Sequence, residues 1–452
     1  MRDRFGFDLS KNTGAPYWSK PQIGRRLFFR HVASAVGGYF LLPTRPMETI
    51  AKADVITKAT AKNVIFIMMT GAPSHVDTFD LKEGPWLPAT FNPTSYGDVR
   101  FPQGLMPQIA DQIGSVALLR SVRAWAGVHG LMQSWVQIGR NPASALAKIS
   151  PHIGSVVSIE LSKPNQTLPA FLALNGQPAA GSGYLPAENS PFQLTAGAGL
   201  PNTTHRDGTV RFDARYSLLQ DIDSESRSGD IGGGPVEMAA WNARARSLMY
   251  NSNVDKIFTF DQNEKNRYGN TGFGNACITA RNLIRADMGT RFIQISIGSW
   301  DHHTNIYAPN AQLTPLAKQF DGGLGTLIAD LRADGSFDQT LIVAQGEFGR
   351  TTGAPNSNAG RDHGLQQSVL FAGAGIRGGQ VIGKTDSFGL DTVEPGWSAD
   401  RYARPEDIEA TIYSALGIDW TTTRRDDPLK RGFQYVPFDA AYNFRPIDEL
   451  WG

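Results

Sequence analysis

Two adjacent histidines follow an apolar run in the segment SWDHHTN, residues 299–305. The chain has eight histidines in all, so a pair beside an aspartate is a candidate metal-binding motif. On an extended backbone, Asp301 and His303 point to the same side and His302 points away. Carboxylate and imidazole groups bind divalent ions such as zinc and manganese. This segment alone leaves a hydrogen-bonded polar turn open as the alternative.

Similar polar segments follow the other apolar runs. Patterns typical of buried strands occupy residues 62–69, 115–122, 168–175, 291–298, 339–346 and 367–373. The segments TGAPSHVDTFD, RSVRAWAGVHG, SWDHHTN and GEFGRT, with GRDHG shortly beyond, hold five of the eight histidines. Ligands of open parallel sheets bind beyond the carboxyl ends of the strands. We therefore expect these segments to form one site.

Helical patterns alternate with the strand patterns, at residues 130–139, 153–162, 236–260, 314–335 and 405–417. This alternation predicts an α/β fold with a doubly wound, mostly parallel sheet and helices on both faces. Residues 176–234 are rich in glycine and proline and predict a long surface excursion.

Glu347 and Arg350 follow one of the central strand patterns. A glutamate at this place is either a metal ligand or the partner of a buried arginine. Arg350 permits both interpretations, and it is also a candidate for binding an anionic substrate group with two hydrogen bonds. Asp362 and His363 add further candidate ligands.

Composition excludes several classes of protein. The 43 basic and 42 acidic residues nearly cancel, so no basic surface for nucleic acid is expected. The single cysteine, Cys277, excludes an internal disulfide framework and is expected to be a buried helical residue. The glycine run at 373–378 precedes a strand pattern rather than a helix, so it is not a dinucleotide site.

Residues 1–53 predict an N-terminal leader ahead of a domain at 54–452. Arg25 and Arg26 precede a short apolar stretch, and Ala51 and Ala53 provide an A-x-A cleavage site. This pattern is typical of a twin-arginine export signal. An amphipathic helix that stays attached is the alternative. No later apolar run is long enough to span a membrane.

Several motifs in order resemble one family. KNVIFIMMTGAPSHVDTFDLK, SWDHHTN, GEFGRT, GRDHG and AGAGIRGGQVIGKTD are similar to the sulfatase-like bacterial proteins called domain of unknown function 1501, within the alkaline phosphatase superfamily. PEDIEATIYSALGID fits the family's helix near the C-terminus. The resemblance implies an alkaline phosphatase-like fold with one or two metal ions that act on phosphate or sulfate esters.

The same resemblance implies site residues. Asp301, His303 and His363 match one metal's ligands, and Glu347 matches an acidic position of a second site. Superfamily members carry an aspartate after the first strand, where this chain has Thr70 and Gly71. Among the nearby candidates His75, Asp77 and Asp80, we expect Asp77 to be the substitute ligand.

The resemblance also implies that His129 takes the position of the sulfatase nucleophile. HGLMQSWVQIGRNP, residues 129–142, resembles the sulfatase stretch that begins at the catalytic residue. Because histidine replaces cysteine or serine there, ordinary sulfatase chemistry is not expected. His129 is then expected to attack directly or to act as a general acid, or a metal-activated water takes its place.

We therefore expect an exported periplasmic or cell-envelope protein with a divalent ion, zinc, manganese or similar. As an enzyme it would hydrolyse a phosphate or sulfate ester of a small molecule or glycan, with His129 and Arg350 in catalytic roles. The alternative is a non-catalytic binding or scaffold protein with the same fold. Bound metal and ester hydrolysis would distinguish the two.

Overall fold

The structure is a computed structural model that describes residues 55–452 except for 165, 228–241, 244 and 311. The predicted leader, with Arg25, Arg26, Ala51 and Ala53, lies outside the described residues. Residues Ile56–Gly452 form one compact unit.

An eight-stranded sheet organises the domain. Its strands are β1 (Asn63–Thr70), β4 (Val116–Arg123), β5 (Phe171–Leu174), β6 (Phe192–Leu194), β7 (Phe292–Gly298), β8 (Thr340–Gln345), β11 (Gln366–Ala372) and β12 (Gln380–Ile382). The strand order is β12-β4-β11-β8-β1-β7-β5-β6. All of these strands are parallel except β11, which runs antiparallel to both of its neighbours. The predicted mostly parallel sheet is confirmed.

In the described part of the chain, four short antiparallel ribbons accompany the sheet. They pair β2 (Pro93–Tyr96) with β3 (Val99–Pro102), β9 (Gly349–Arg350) with β10 (His363–Gly364), β13 (Lys384–Thr385) with β14 (Thr392–Glu394), and β15 (Thr423–Arg424) with β16 (Phe433–Gln434). The β9–β10 ribbon pairs His363 with Arg350. It therefore brings two of the predicted site residues together.

Helices cover both faces of the sheet, as predicted. They are α1 (Pro107–Asp111), α2 (His129–Ile138), α3 (Ile153–Leu161), α4 (Gly208–Arg227), α5 (Ser252–Phe258), α6 (Gln262–Arg267), α7 (Gly272–Ala286), α8 (Leu313–Ala333) and α9 (Pro405–Ala415). Helices α1, α5, α7 and α8 contribute to one apolar core, and α2, α3 and α9 contribute to the other. None of the helices in the described part of the chain is long and apolar enough to cross a bilayer.

Strand β1 shows why the two cores form. Val64, Phe66 and Met68 enter one core, and the alternate side chains Ile65 and Ile67 enter the other. Successive side chains of a strand point to opposite faces. A strand covered on both sides therefore consists of a continuous apolar run, which the sequence shows.

Two predicted segments differ in detail from the structure. Among the residues described, 236–260 do not form one helix. A new helix, α5, begins at Ser252, and the side chain of Asn251 caps it. The glycine-rich excursion at 176–234 contributes the edge strand β6 and the helix α4. Cys277 is buried in α7, as predicted.

Candidate metal centre

The carboxyl ends of β8, β1 and β7 lie side by side, since these strands are neighbours in the sheet. The segment after β7 carries Asp301 and His303, and helix α2 begins at His129 after β4. His363 reaches the same edge for a different reason. It precedes β11, whose antiparallel direction places its amino end beside the carboxyl ends of its neighbours.

Four side chains converge at this edge: His129, Asp301, His303 and His363. The Oδ1 atom of Asp301 lies 3.3 Å from Nε2 of His129, 2.9 Å from Nε2 of His303 and 3.7 Å from Nε2 of His363. The Nε2 atoms of His303 and His363 are 3.1 Å apart. A tetrahedral ion with ligands at about 2.0–2.2 Å separates neighbouring ligand atoms by roughly 3.3–3.6 Å. The ligand atoms of the four side chains all lie within 4.8 Å of one another, which is close to the spacing that such an ion requires.

Two imidazoles are held by carboxylates through their other nitrogen. Nδ1 of His129 lies 2.7 Å from Oε1 of Glu347, and Nδ1 of His303 lies 3.0 Å from Oδ1 of Asp362. Because a carboxylate only accepts hydrogen bonds, each Nδ1 carries the proton and each Nε2 of a neutral ring presents a lone pair. Metal-binding histidines are oriented in the same way.

The third imidazole is oriented by the backbone. Nδ1 of His363 donates to the carbonyl oxygen of Gly127 at 2.7 Å, so its Nε2 is also an acceptor. Three acceptor nitrogens and one carboxylate oxygen therefore face one another. Nε2 of His129 is shielded from solvent and has no hydrogen-bond partner among the described residues. A bound cation would provide the partner that Nε2 of His129 lacks.

Asp301 is ionised at neutral pH and open to solvent. Burial raises the pKa of its carboxyl group, but the hydrogen bond and charge of Arg350 outweigh this, so the pKa lies below the ordinary value. Its side chain is 45% exposed, and that of His303 is 41% exposed. The group is therefore accessible to a ligand from outside.

Arg350 is buried at the inner side of the group. Its guanidinium donates to Oδ1 of Asp301 at 2.5 Å, to the carbonyl oxygen of Ala72 at 2.8 Å and to that of Gly71. It also lies 3.2 Å from Nε2 of His303. These contacts occupy the fork that bidentate substrate binding would need, so the structure does not support Arg350 as a direct substrate ligand.

Glu347 lies next to the group and touches it through His129. Its Oε1 atom also accepts from Gln133 at 3.1 Å and from the backbone N–H of Gly71 at 2.9 Å. The carboxylate is fully buried, and Oε2 has no hydrogen-bond partner among the described residues. No sequence motif pointed to Gln133, although its spacing of four residues from His129 places both on one helix face.

The absent first-strand aspartate has a structural explanation. Gly71 has φ +103°, and a Cβ atom there would lie 2.6 Å from the backbone nitrogen of Trp300. The close approach of β1 to the segment after β7 therefore leaves no room for a side chain at residue 71.

The expectation that Asp77 replaces this ligand requires correction. Asp77 is fully buried, and its oxygens accept from Arg361 at 2.7 and 3.2 Å, from Ser74 at 2.6 Å and from Tyr307 at 2.6 Å. It is not part of the group of four. Because both oxygens are engaged by donors, Asp77 is a structural partner of Arg361 and does not face the candidate centre.

His302 points away from its two neighbours, as the alternation of side chains predicts. It is 2% exposed and lies outside the group of four. Burial lowers the pKa of His302 to about 4, and the nearby charge of Arg350 acts in the same direction. The ring is therefore neutral at physiological pH.

The fold and this group of side chains define an α/β protein with a candidate metal centre at the edge of its sheet. A family described as protein of unknown function (DUF1501) matches residues 61–430, and the chain belongs to this family. The sequence motifs predicted this membership. No match was found among curated proteins.

The structure was also compared with solved structures. A sulfatase from Pseudoalteromonas sp., PsFucS1, is 11% identical, with 86% of this chain and 71% of that chain covered and a TM-score of 0.39. Ps i-CgsB in complex with k-i-k-neocarrahexaose is 12% identical, with 79% and 72% covered and a TM-score of 0.40. An alkaline phosphatase superfamily protein from Vibrio parahaemolyticus is 12% identical, with 80% and 69% covered and a TM-score of 0.38.

Proposed function

We propose that the protein is an exported, metal-dependent hydrolase of phosphate or sulfate esters. This proposal rests on one observation: three acceptor imidazole nitrogens and the Asp301 carboxylate converge. Each imidazole is held by its other nitrogen, so the four atoms face one another without a donor that satisfies them all. A divalent ion is the group that this arrangement fits best.

Asp301, His129, His303 and His363 would hold the ion. When bound, a divalent ion would polarise the ester oxygen and lower the pKa of a bound water to about 7. The ligands do not select among zinc, manganese and similar ions, because imidazole and carboxylate bind several of them.

His129 fits the role of a ligand better than that of a nucleophile or general acid. Both alternative roles require a ring nitrogen that faces the substrate. Nδ1 is engaged by Glu347, and Nε2 is shielded from solvent beside Asp301. In this proposal Glu347 positions His129, and Asp362 positions His303.

Arg350 would act through Asp301 as a fixed positive charge. It keeps the Asp301 carboxyl group ionised and offsets part of the negative charge that an anionic ester brings. This role replaces the bidentate substrate contact considered from the sequence.

A second candidate function follows from the same ligands. Four protein ligands can saturate a tetrahedral ion, which is typical of structural sites, whereas catalytic sites keep one position open. The protein would then be a metal-stabilised binding or scaffold protein of the cell envelope. The exposure of Asp301 and His303 favours the enzyme.

The metal assignment is tested by elemental analysis of purified protein. We expect one ion per chain in the wild type and loss of the ion in Asp301→Asn, His303→Ala and His363→Ala. Loss of a direct ligand should exceed the roughly 10- to 100-fold weakening typical of changes to residues that only orient ligands. His205→Ala, which changes a histidine outside the group, is the control. Equal metal content in wild type and the Asp301 and His363 variants would contradict the proposal.

Hydrolysis separates the two candidate functions. Aryl phosphate and aryl sulfate are offered to the metal-loaded protein, to the protein with chelator and to the protein after metal is restored. Activity that chelator removes and metal restores supports the enzyme. A fully loaded protein that is inactive on both ester classes supports the structural role.

A further inference from the structure

An aromatic groove lies beside helix α2 and outside the candidate metal centre. Its main part is a cavity of about 490 Å³ lined by Trp135, Phe438 and Phe444. A smaller cavity of about 160 Å³ shares Phe438 and Phe444 and adds Trp420. We use the name aromatic groove for the surface formed by these four side chains. The two cavities share these residues and are therefore neighbours.

The base of the groove is held rigidly. The indole rings of Trp125 and Trp135 stack with centroids 5.5 Å apart. Both indole N–H groups donate to Glu406, at 3.1 Å from Trp125 and 2.8 Å from Trp135. Arg404 covers the Trp125 ring at 3.8 Å. Trp135 is thereby fixed as an aromatic wall of the larger cavity.

The charged groups of the groove are already compensated. Arg140 is buried and donates to the backbone carbonyls of Gln434 and Tyr435. The carboxylate of Asp439 accepts from two backbone N–H groups of the segment that follows it. A ligand with a large net charge would therefore gain no unpaired opposite charge here.

The contact groups that remain are aromatic rings and short polar side chains. Phe438 is 73% exposed, and Asn141 and Ser144 are exposed at the same cavity. A sugar ring has an apolar face of C–H groups and an edge of hydroxyl groups. Such a ring gains from packing against aromatic faces and from hydrogen bonds to amide and hydroxyl groups.

We propose that the aromatic groove binds a carbohydrate chain, with sugar rings packed on Trp135 and Phe438. The larger cavity, of about 490 Å³, has two aromatic walls, Trp135 and Phe438, and its volume is that of a site for more than one sugar ring. Helix α2 begins at His129 and carries Trp135 six residues later, which corresponds to about 9 Å along the helix axis. In this proposal the bound carbohydrate carries the ester that the candidate metal centre would hydrolyse, and this last step rests on the proposed function.

Binding is measured by calorimetry on the purified chain with neutral, sulfated and uronate hexasaccharides. We expect at least one hexasaccharide to bind, and its monosaccharide to bind at least tenfold more weakly. Phe438→Ala should weaken binding by about tenfold, the scale of one aromatic contact. Phe388→Ala removes another exposed phenylalanine outside the groove and should leave binding unchanged.

Three outcomes would overturn the proposal: no binding of any hexasaccharide at millimolar concentration, equal binding in Phe438→Ala, or binding of aromatic peptides in place of sugars. His303→Ala keeps this test separate from the proposed function, because it should lose metal and retain carbohydrate binding. Carbohydrate binding without ester hydrolysis would contradict the enzyme alone. Hydrolysis of small esters without carbohydrate binding would contradict the groove alone.

Discussion

Arg350 brings a positive charge into the interior beside Asp301, and its planar fork joins the ends of several strands. Arg350→Lys keeps the charge but cannot reproduce the hydrogen bonds to Gly71 and Ala72. We expect the free energy of unfolding to fall by about 1–3 kcal/mol, the usual cost of leaving buried carbonyl oxygens without their donors. Urea denaturation measures this, with the exposed Arg377→Lys as the control. Unchanged stability together with a raised KM would indicate direct substrate binding instead.

Asp77 forms a buried ion pair with Arg361 across 284 positions of the chain. Asp77→Asn should leave the guanidinium without its charged partner and lower the free energy of unfolding by about 3–5 kcal/mol. Metal content should not change, because Asp77 does not face the candidate centre. Asp98→Asn, at an exposed position, is the control for both measurements. If the Asp77→Asn variant folded but lost its metal, Asp77 would have to be assigned as a metal ligand.

At the scale of elements, the contact between α2 and α9 helps to fix the position of His129, because α2 begins at that residue. Gly139 ends α2 with φ +58°, and Glu409 of α9 packs against it with no room for a side chain between them. Burial raises the pKa of Glu409 to about 8, although nearby Arg140 opposes the shift. The buried carboxyl group is therefore protonated at neutral pH.

This protonation predicts a pH-dependent stability. Glu409 keeps its proton in the folded chain to about pH 8, whereas the unfolded chain loses it near the ordinary value of 4.5. The unfolded state thus binds fewer protons in between, so stability is full below this window and falls by about 1.4 kcal/mol per pH unit within it. Thermal unfolding at pH 5, 6.5 and 8 should show a shallower decline for Glu409→Gln than for wild type. Glu394→Gln, at an exposed position, should follow wild type, and identical slopes in all three proteins would exclude this explanation.

At the scale of the whole molecule, the sheet collects residues that are far apart in the chain. His129 and Glu347 are separated by 218 positions, and His303 and His363 by 60. Strand direction decides which residues meet. Residues that follow the parallel strands lie at this edge of the sheet. His363 lies at the same edge because it precedes β11, which runs in the opposite direction.

The export prediction also concerns the whole chain. Arg25→Lys combined with Arg26→Lys should trap a precursor in the cytoplasm, because twin-arginine signals depend on the paired guanidinium groups. The wild-type mature chain should begin near Asp54. Cell fractionation with N-terminal sequencing measures both results, and the change of Arg2 and Arg4 to lysine is the control. Uncleaved cytoplasmic protein from the wild-type gene would refute export.

Local patterns in the sequence predicted the central strands, the helices α2, α3, α8 and α9, and the edge of the sheet where polar residues lie, but not β6, α4 or the short ribbons. This was possible because a strand buried on both faces needs an apolar run, and because parallel strands end at one edge. The same patterns placed Asp301, His303, His363, Glu347 and His129 among the candidates. They also predicted the family.

Only the tertiary structure decided how these candidates are paired. The sequence shows that Asp77, Glu347 and Arg350 follow strands, but not which partners satisfy their hydrogen bonds. In the folded chain Arg361 engages Asp77, Glu347 orients His129, and Arg350 is committed to backbone carbonyls. Each partner is distant along the chain, and a buried polar group takes whichever donor or acceptor the packing brings to it. Local sequence cannot determine that choice.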